Sequence, residues 1–164
     1  PLPPALVPQG ASAPVPPPRL GPSSKEHYMT HSTLAEARLV PDHDRLAFLP
    51  KHFGIRLMLR GEISVYNWLD RLSQEYSGGF WHYYEIPNGL YMAPADYETL
   101  HIVWPMKWCD RTMSADAAGI VATLYALCEL CSQYRSDDLA EKYHALRDFA
   151  GEHAEANAIF AAID

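Results

Sequence analysis

A chain of 164 residues with a formal charge of −7 is long enough for one domain with a real core and too short for two ordinary ones. Residues 25–164 alone hold 12 basic and 20 acidic side chains, the wrong balance for neutralising phosphates, so direct nucleic-acid binding is disfavoured. No apolar run approaches the roughly 20 residues of a membrane helix, no basic-then-apolar leader opens the chain, and Cys109, Cys128 and Cys131 have no disulfide-framework spacing; a soluble, cytoplasmic protein is expected.

Residues 1–28 form a block of their own. Nine of the 14 prolines fall in residues 1–22. Proline removes donors and fixes φ, so a disordered or polyproline-II tail is expected, with a PxxP-type ligand as the sharper reading and Met29 as a possible native start. Residues 29–164 then make a single domain.

Its body opens at Asp42. Asp-His-Asp-Arg-Leu-Ala-Phe-Leu, capped by Asp42 or Asp44, predicts a short helical turn stopped near Pro50, with a bend at His52-Phe53-Gly54. Residues 55–60 fit strand alternation or an early helical turn. Over residues 62–76, Val65, Leu69, Leu72 and Tyr76 share a stripe, Trp68 flanks it, and Asn67, Asp70, Arg71 and Gln74 lie opposite, which predicts an amphipathic helix.

The densest stretch is residues 78–94. Phe80, Trp81, Tyr83, Tyr84, Ile86 and Tyr91 favour a pleated, half-buried surface, and Asn88-Gly89 suits a type I′ turn that pairs residues 80–86 with 90–93. Pro87 would then face Leu90 without an N–H to donate, which leaves the register open. Residues 97–104 alternate Glu98, Leu100, Ile102 and Trp104 against Thr99, His101 and Val103, a third strand ended by Pro105. Residues 106–113 read as a loop. Ser114 is a good N-cap with Asp116 in the first turn, and residues 117–131, apolar almost all round, predict a buried central helix. Ser136-Asp137-Asp138 starts a further helix carrying Leu139, Tyr143, Leu146 and Ala150 on one stripe, with Gly151 at C′, and residues 154–163 make a short last one. The fold class is α+β, a small three-stranded antiparallel β-meander packed against about four to five α-helices.

Chemistry-bearing motifs are few. A redox CxxC opens a helix, whereas Cys128 and Cys131 lie mid-helix among Ile120, Leu124 and Leu127, so both read as core filler. The eight histidines include no HExxH and no Cys/His quartet, and His82 and His101 read as partly exposed sheet residues, so neither metal nor cofactor is expected. Cys109-Asp110 in a loop, with His82 or His101 elsewhere, is the one arrangement for a Cys nucleophile; a small Cys/His-dependent hydrolase is thus an alternative function, although no catalytic residue is assigned. There is no GxSxG, phosphate-cradling loop or paired-carboxylate motif, and the protein does not read as an enzyme. Residues 110–164 hold ten acidic residues against four basic, which suggests a second alternative, an acidic DNA-mimic inhibitor. Arg135, Lys142 and Arg147 interleave with Asp138, Glu141 and Asp148, the pattern of an ordinary solvated face. Trp81, Tyr83, Tyr84, Tyr91, Trp104 and Trp108 could form a binding platform, but most are needed for the core of so small a sheet.

Several blocks together resemble the ArdB/KlcA antirestriction proteins: Phe48-Leu49-Pro50, His52-Phe53-Gly54, Val65-Tyr66 with Trp68 and Asp70-Arg71-Leu72, Tyr76-Ser77-Gly78-Gly79-Phe80-Trp81, Tyr84-Glu85, Asn88-Gly89-Leu90-Tyr91-Met92-Ala93-Pro94, and Met113-Ser114-Ala115-Asp116-Ala117-Ala118-Gly119-Ile120. The match runs in order through residues 48–134. One departure is the turn, Pro-Asn-Gly-Leu where members commonly show Asn-Gly-Gly. The resemblance implies a bacterial protein of plasmids or mobile elements that alleviates type I restriction-modification of incoming DNA, with a compact helix-plus-small-sheet fold. It further implies no enzymatic activity, no cofactor and no strong DNA mimicry. The partner is then a type I restriction-modification complex, contacted directly or indirectly by a monomer. Loops on rigid scaffolds usually carry function, so the expected contacts are Asn88, Gly89 and Tyr91 at the hairpin turn and Lys107, Trp108, Asp110 and Arg111 in the following loop. The acidic helical face Asp138, Glu141, Asp148 and Glu152 is the rival surface.

Overall fold

The central element is α2 (Ala115–Tyr134), apolar all round until its last two turns, where Cys128, Glu129, Ser132 and Gln133 reach solvent. Ala117, Ala118, Ile120, Val121 and Leu127 are all fully buried. In the computed structural model, which describes residues 36–164, α2 is wrapped by α1 (Arg45–Leu72), α3 (Asp137–Gly151), α4 (Ala156–Ile163) and the strand β3 (Gly89–Pro94). Among the described residues it is the one helix long and apolar enough to cross a bilayer, and 67% of its apolar window is buried inside the domain, as befits a core helix. The Pro-rich block and its polyproline reading lie outside the described residues.

Local chemistry sets its ends. The Ser114 hydroxyl accepts from the Ala117 N–H at 3.1 Å, the predicted N-cap, and Asp116 sits in the first turn. The helix stops at Arg135, left-handed with φ 49°, after which Ser136 caps α3 by accepting from Leu139 N–H at 3.3 Å. Gly151, expected as a left-handed cap, stays inside α3, which ends through Glu152 at φ −94°.

Towards the N-terminus, α1 runs through Pro50 instead of stopping there. The proline forfeits one ladder bond, to the carbonyl of Leu46, a residue that is 92% exposed and open to water. The break comes at Gly54, with φ 72° and ψ 160°, a conformation left to glycine, and residues 55–72 resume as helix. The predicted bend is therefore in place, and the strand alternative for 55–60 falls. Val65, Leu69 and Leu72 face the core, each worth about 1.5–3 kcal/mol of burial.

The strands form two sheets. β1 (Arg38–Leu39), β2 (Trp81–Ile86) and β3 make an antiparallel sheet in that order, and β4 (Thr99–Trp104) pairs with β5 (Cys109–Ser114) in a separate ribbon. The α+β class with its three-stranded antiparallel sheet and helices holds, but the third strand is β1, not residues 97–104. The segment read as a loop is a 3-10 turn, Pro105–Lys107, followed by β5. In β5 only Cys109 and Met113 are buried, so no alternation announces the strand.

Between β2 and β3 the register is Ile86 to Gly89 and Tyr84 to Tyr91, so the loop is Pro87–Asn88, one residue earlier than Asn88-Gly89. Proline needs no donor at the first central position, and Asn88 at φ 60° supplies the second, the pattern of a type II turn. Pairings move by two residues, so every side chain keeps its face. The seam between β3 and α2 is very close: a Cβ on Gly119 would lie 2.3 Å from the Met92 carbonyl oxygen. Thr123 Oγ1 bridges it, donating to Gly119 O at 2.8 Å and accepting from Met92 N–H at 3.2 Å.

Candidate functional site

The hairpin turn lies against α3. Gly89 makes this possible, since a Cβ there would meet Ile86 Cγ1 at 3.2 Å and Ala145 Cβ at 3.3 Å. The approach sets Pro87 and Asn88 opposite Glu141, His144, Asp148 and Glu152 across a groove of about 640 Å³. Past Asn88 and Glu141 the groove continues for a further 420 Å³ or so, lined by Lys51, His52, Glu85, Asp138 and Lys142. The turn and the acidic face, rivals when read from sequence, are two walls of one groove.

Its charges are unevenly satisfied. Glu85 accepts from Lys51 Nζ at 2.6 Å, Arg38 Nη2 at 2.5 Å and His52 Nε2 at 3.2 Å. The lysine and arginine bonds hold its carboxyl down at about 2. His52 is 7% exposed, and burial pushes its imidazole below the ordinary histidine range. Lys142 Nζ reaches both Asp138 oxygens at 2.6 Å. Both lysines of the groove are thus paired, while Glu141, Asp148 and Glu152 have no ion-pair partner among the described residues. The groove is net acidic along α3.

Gly89 and Tyr91 do not offer the partner surface expected of them. Both are buried; Tyr91 is 2% exposed, its ring stacked on Tyr84 at 4.6 Å and its hydroxyl donating to Asp116 Oδ1 at 2.9 Å. They set the turn against α3 from behind. Asp116 Oδ2 also accepts from His153 Nε2 at 2.9 Å, while His153 Nδ1 accepts from the Glu155 N–H at 3.0 Å, which fixes the tautomer. Bonding to Asp116 raises the His153 pKa.

Lys107, Trp108, Asp110 and Arg111 gather on the β4–β5 ribbon, and none of them lines the groove. Trp108 is 96% exposed and left-handed at φ 53°, Met106 beside it is 77% exposed, and Asp110 pairs with His101 Nε2 at 2.6 Å. Cys109 is the first residue of β5 and not a loop residue. It is 3% exposed, burial raises its thiol pKa, and it pairs with Trp104, while His101 lies opposite Thr112 and its imidazole is engaged by Asp110. The helical cysteines also differ from the core-filler reading, for Cys128 is exposed and Cys131 only half-buried. Among the described residues no three His, Cys, Asp or Glu side chains cluster so as to hold a metal ion.

Sequence reasoning missed Glu85 as an organiser, because its partners Arg38, Lys51 and His52 sit on two other elements. A lone carboxylate on an otherwise apolar strand was the available signal.

The family model described as antirestriction protein matches residues 74–164. This chain belongs to the antirestriction protein family. It is 49% identical over 133 residues to antirestriction protein KlcA of Escherichia coli, covering 78% of this chain and 94% of that protein. Identity is 40% over 133 residues to the putative antirestriction protein YubI of Escherichia coli strain K12, with 76% and 93% covered. Among solved structures, one from work on KlcA and ArdB superposes with a TM-score of 0.72 and 47% identity, over 79% of this chain and 94% of that one. Those proteins are described as having a novel fold and antirestriction activity against type I DNA restriction systems in vivo but not in vitro.

Proposed function

We propose that this protein alleviates type I restriction of incoming DNA inside the bacterial cell, acting through protein contact and neither by catalysis nor as a DNA mimic. The observation that carries the reading is the 47% identity and TM-score of 0.72 shared with a protein active against type I systems in vivo but not in vitro. An effect present in cells and absent with isolated components fits an indirect contact, one that needs a further cellular protein. The buried, proton-retaining Cys109 supports a non-enzymatic reading. Mimicry needs dense, uncompensated carboxylates, whereas Lys142 neutralises Asp138 and Arg147 grips the Asp164 carboxylate at 2.9 and 3.1 Å.

The contact surface is the groove formed by Asn88 with Asp138, Glu141, Asp148 and Glu152, and the ribbon tip carrying Lys107, Trp108, Asp110 and Arg111 is the second contact. The experiment is the plating efficiency of unmodified phage on a host with a type I system, with and without the protein. Alleviation is expected, and Glu141→Lys with Asp148→Lys should reduce it about tenfold, the equivalent of ~1.4 kcal/mol of contact. Full alleviation by that folded double variant would remove the groove from the proposal. Absence of alleviation by the unaltered chain would remove the function.

A further inference from the structure

The second half of α1 carries two apolar faces, and the core uses only one. Val65, Leu69 and Leu72 point inward, while Ile55, Leu59 and Ile63 form an outward row and are 80%, 61% and 54% exposed. Spaced four residues apart, they run about 12 Å along the helix. Single exposed aliphatics are ordinary on a protein surface; a continuous row at helical spacing is what a docked helix leaves uncovered when it is absent.

Charge identifies what would cover it. Arg56 and Arg60 flank the row, and neither is in an ion pair among the described residues. The Arg60 guanidinium instead sits 5.9 Å from the Tyr134 ring. In a chain of net charge −7, two arginines without an ion pair among the described residues make the Ile55–Leu59 end of the row a local reversal of sign. Hollows adjoin the row: one of about 760 Å³ between Gly54, Ile55, Arg56 and Tyr134, whose charged lining is wholly basic, and one of about 460 Å³ past Ile63, where Arg71 is matched by Asp70 and Glu129; Arg60 lines both.

We infer that this face is the seat of an acidic amphipathic helix from a protein partner. The partner's aliphatic row packs on Ile55, Leu59 and Ile63, and its carboxylates pair with Arg56 and Arg60. A nucleic-acid backbone presents no apolar ridge to cover three aliphatic side chains. A lipid surface would have to accept a helix whose other face is fixed in a net-acidic domain. A symmetric second copy would bring arginine against arginine. No residue lines both this seat and the acidic groove, so the protein has two faces of opposite charge preference. The inference rests on the reading that the protein acts by protein contact.

The test places a photo-crosslinking amino acid at position 59 of the full chain in cells, and identifies the crosslinked peptide by mass spectrometry. The expected product is one protein, joined through a helical peptide with carboxylates flanking an aliphatic row. Its yield should fall about tenfold when Arg56→Glu and Arg60→Glu are combined, with thermal unfolding of the chain unchanged. Crosslinks confined to copies of the chain, to nucleic acid or to lipid would overturn the inference, as would a product insensitive to the arginine reversals or no product at all. Plating efficiency with the unaltered chain, measured in the same cells, reports separately on the antirestriction reading, so the failure of one is not mistaken for failure of the other.

Discussion

The two hairpins of this protein share a plan and differ in almost everything else. Each pairs two antiparallel strands of six residues, yet β3 is buried at every position and β5 only at Cys109 and Met113. The first closes through Pro87–Asn88 and lies beneath α2, which approaches so closely at Gly119 that no side chain fits between. The second closes through Pro105–Lys107 and a left-handed Trp108; it packs inward through Leu100, Ile102, Cys109 and Met113 and leaves its other face and its tip to solvent. The strand is the same device in both; the helix laid across it decides whether it becomes core or surface.

That contrast can be broken most forcefully at the seam. Gly119→Ala should cost about 3 kcal/mol or more in urea unfolding, because the new methyl meets backbone and not a flexible side chain. A neutral outcome would mean that the helix does not grip β3 as described. On the turn side, Glu85→Gln should cost ~1.5 kcal/mol near neutral pH after allowance for the solvent around Arg38 and Lys51. Its folded pKa is depressed from the ordinary 4.5 to about 2, so its contribution is present above 4.5 and is lost as pH falls toward 2. The variant should therefore show a flatter acid limb over that window in pH-dependent unfolding. In the ribbon the sign should reverse: Trp108→Gly should raise stability by up to about 1 kcal/mol by relieving a left-handed backbone, while lowering alleviation. Equal losses of stability in both hairpins would erase the distinction.

Smaller effects sharpen it. The raised pKa of His153 means that its bond to Asp116 stabilises the fold below the ordinary 6.5 and loses that contribution as pH rises through the folded value. His153→Gln should thus cost more in mildly acidic than in alkaline buffer, by denaturant titration. Cys109→Ala should leave plating efficiency unchanged; lost alleviation in a folded variant would revive the hydrolase alternative.

What could be read in advance follows the same line. The hairpin β2–β3 and the helix α2 were legible because aromatic, β-branched and unbroken apolar residues have few places to go. The turn was placed one residue late because Asn-Gly outweighed the lack of a donor on Pro87. β5 was invisible because Asp110, Arg111 and Thr112 all face solvent, and β1 because two exposed residues carry no periodicity. Pro50 reads as a stop yet sits inside α1, where Leu46 O is left to water, whereas Gly54 breaks the helix where the sequence places a bend. Of the candidate site, Asn88 and the α3 carboxylates are each singled out by the sequence, but their placement across one groove is not. It depends on Gly89 packing against Ala145, a contact that neither local segment reveals.

The place of α2 in the chain also bears on how the protein is made. During vectorial synthesis α1 and the β2–β3 hairpin emerge first, so two of the surfaces that will enclose α2 already exist when it appears. The third, α3, follows directly after Ser136 and is 15 residues long, about one to three seconds of translation at ~5–20 residues per second. The longest apolar helix among the described residues is thus bare only briefly, and the order of the elements limits the time in which it can meet another nascent chain.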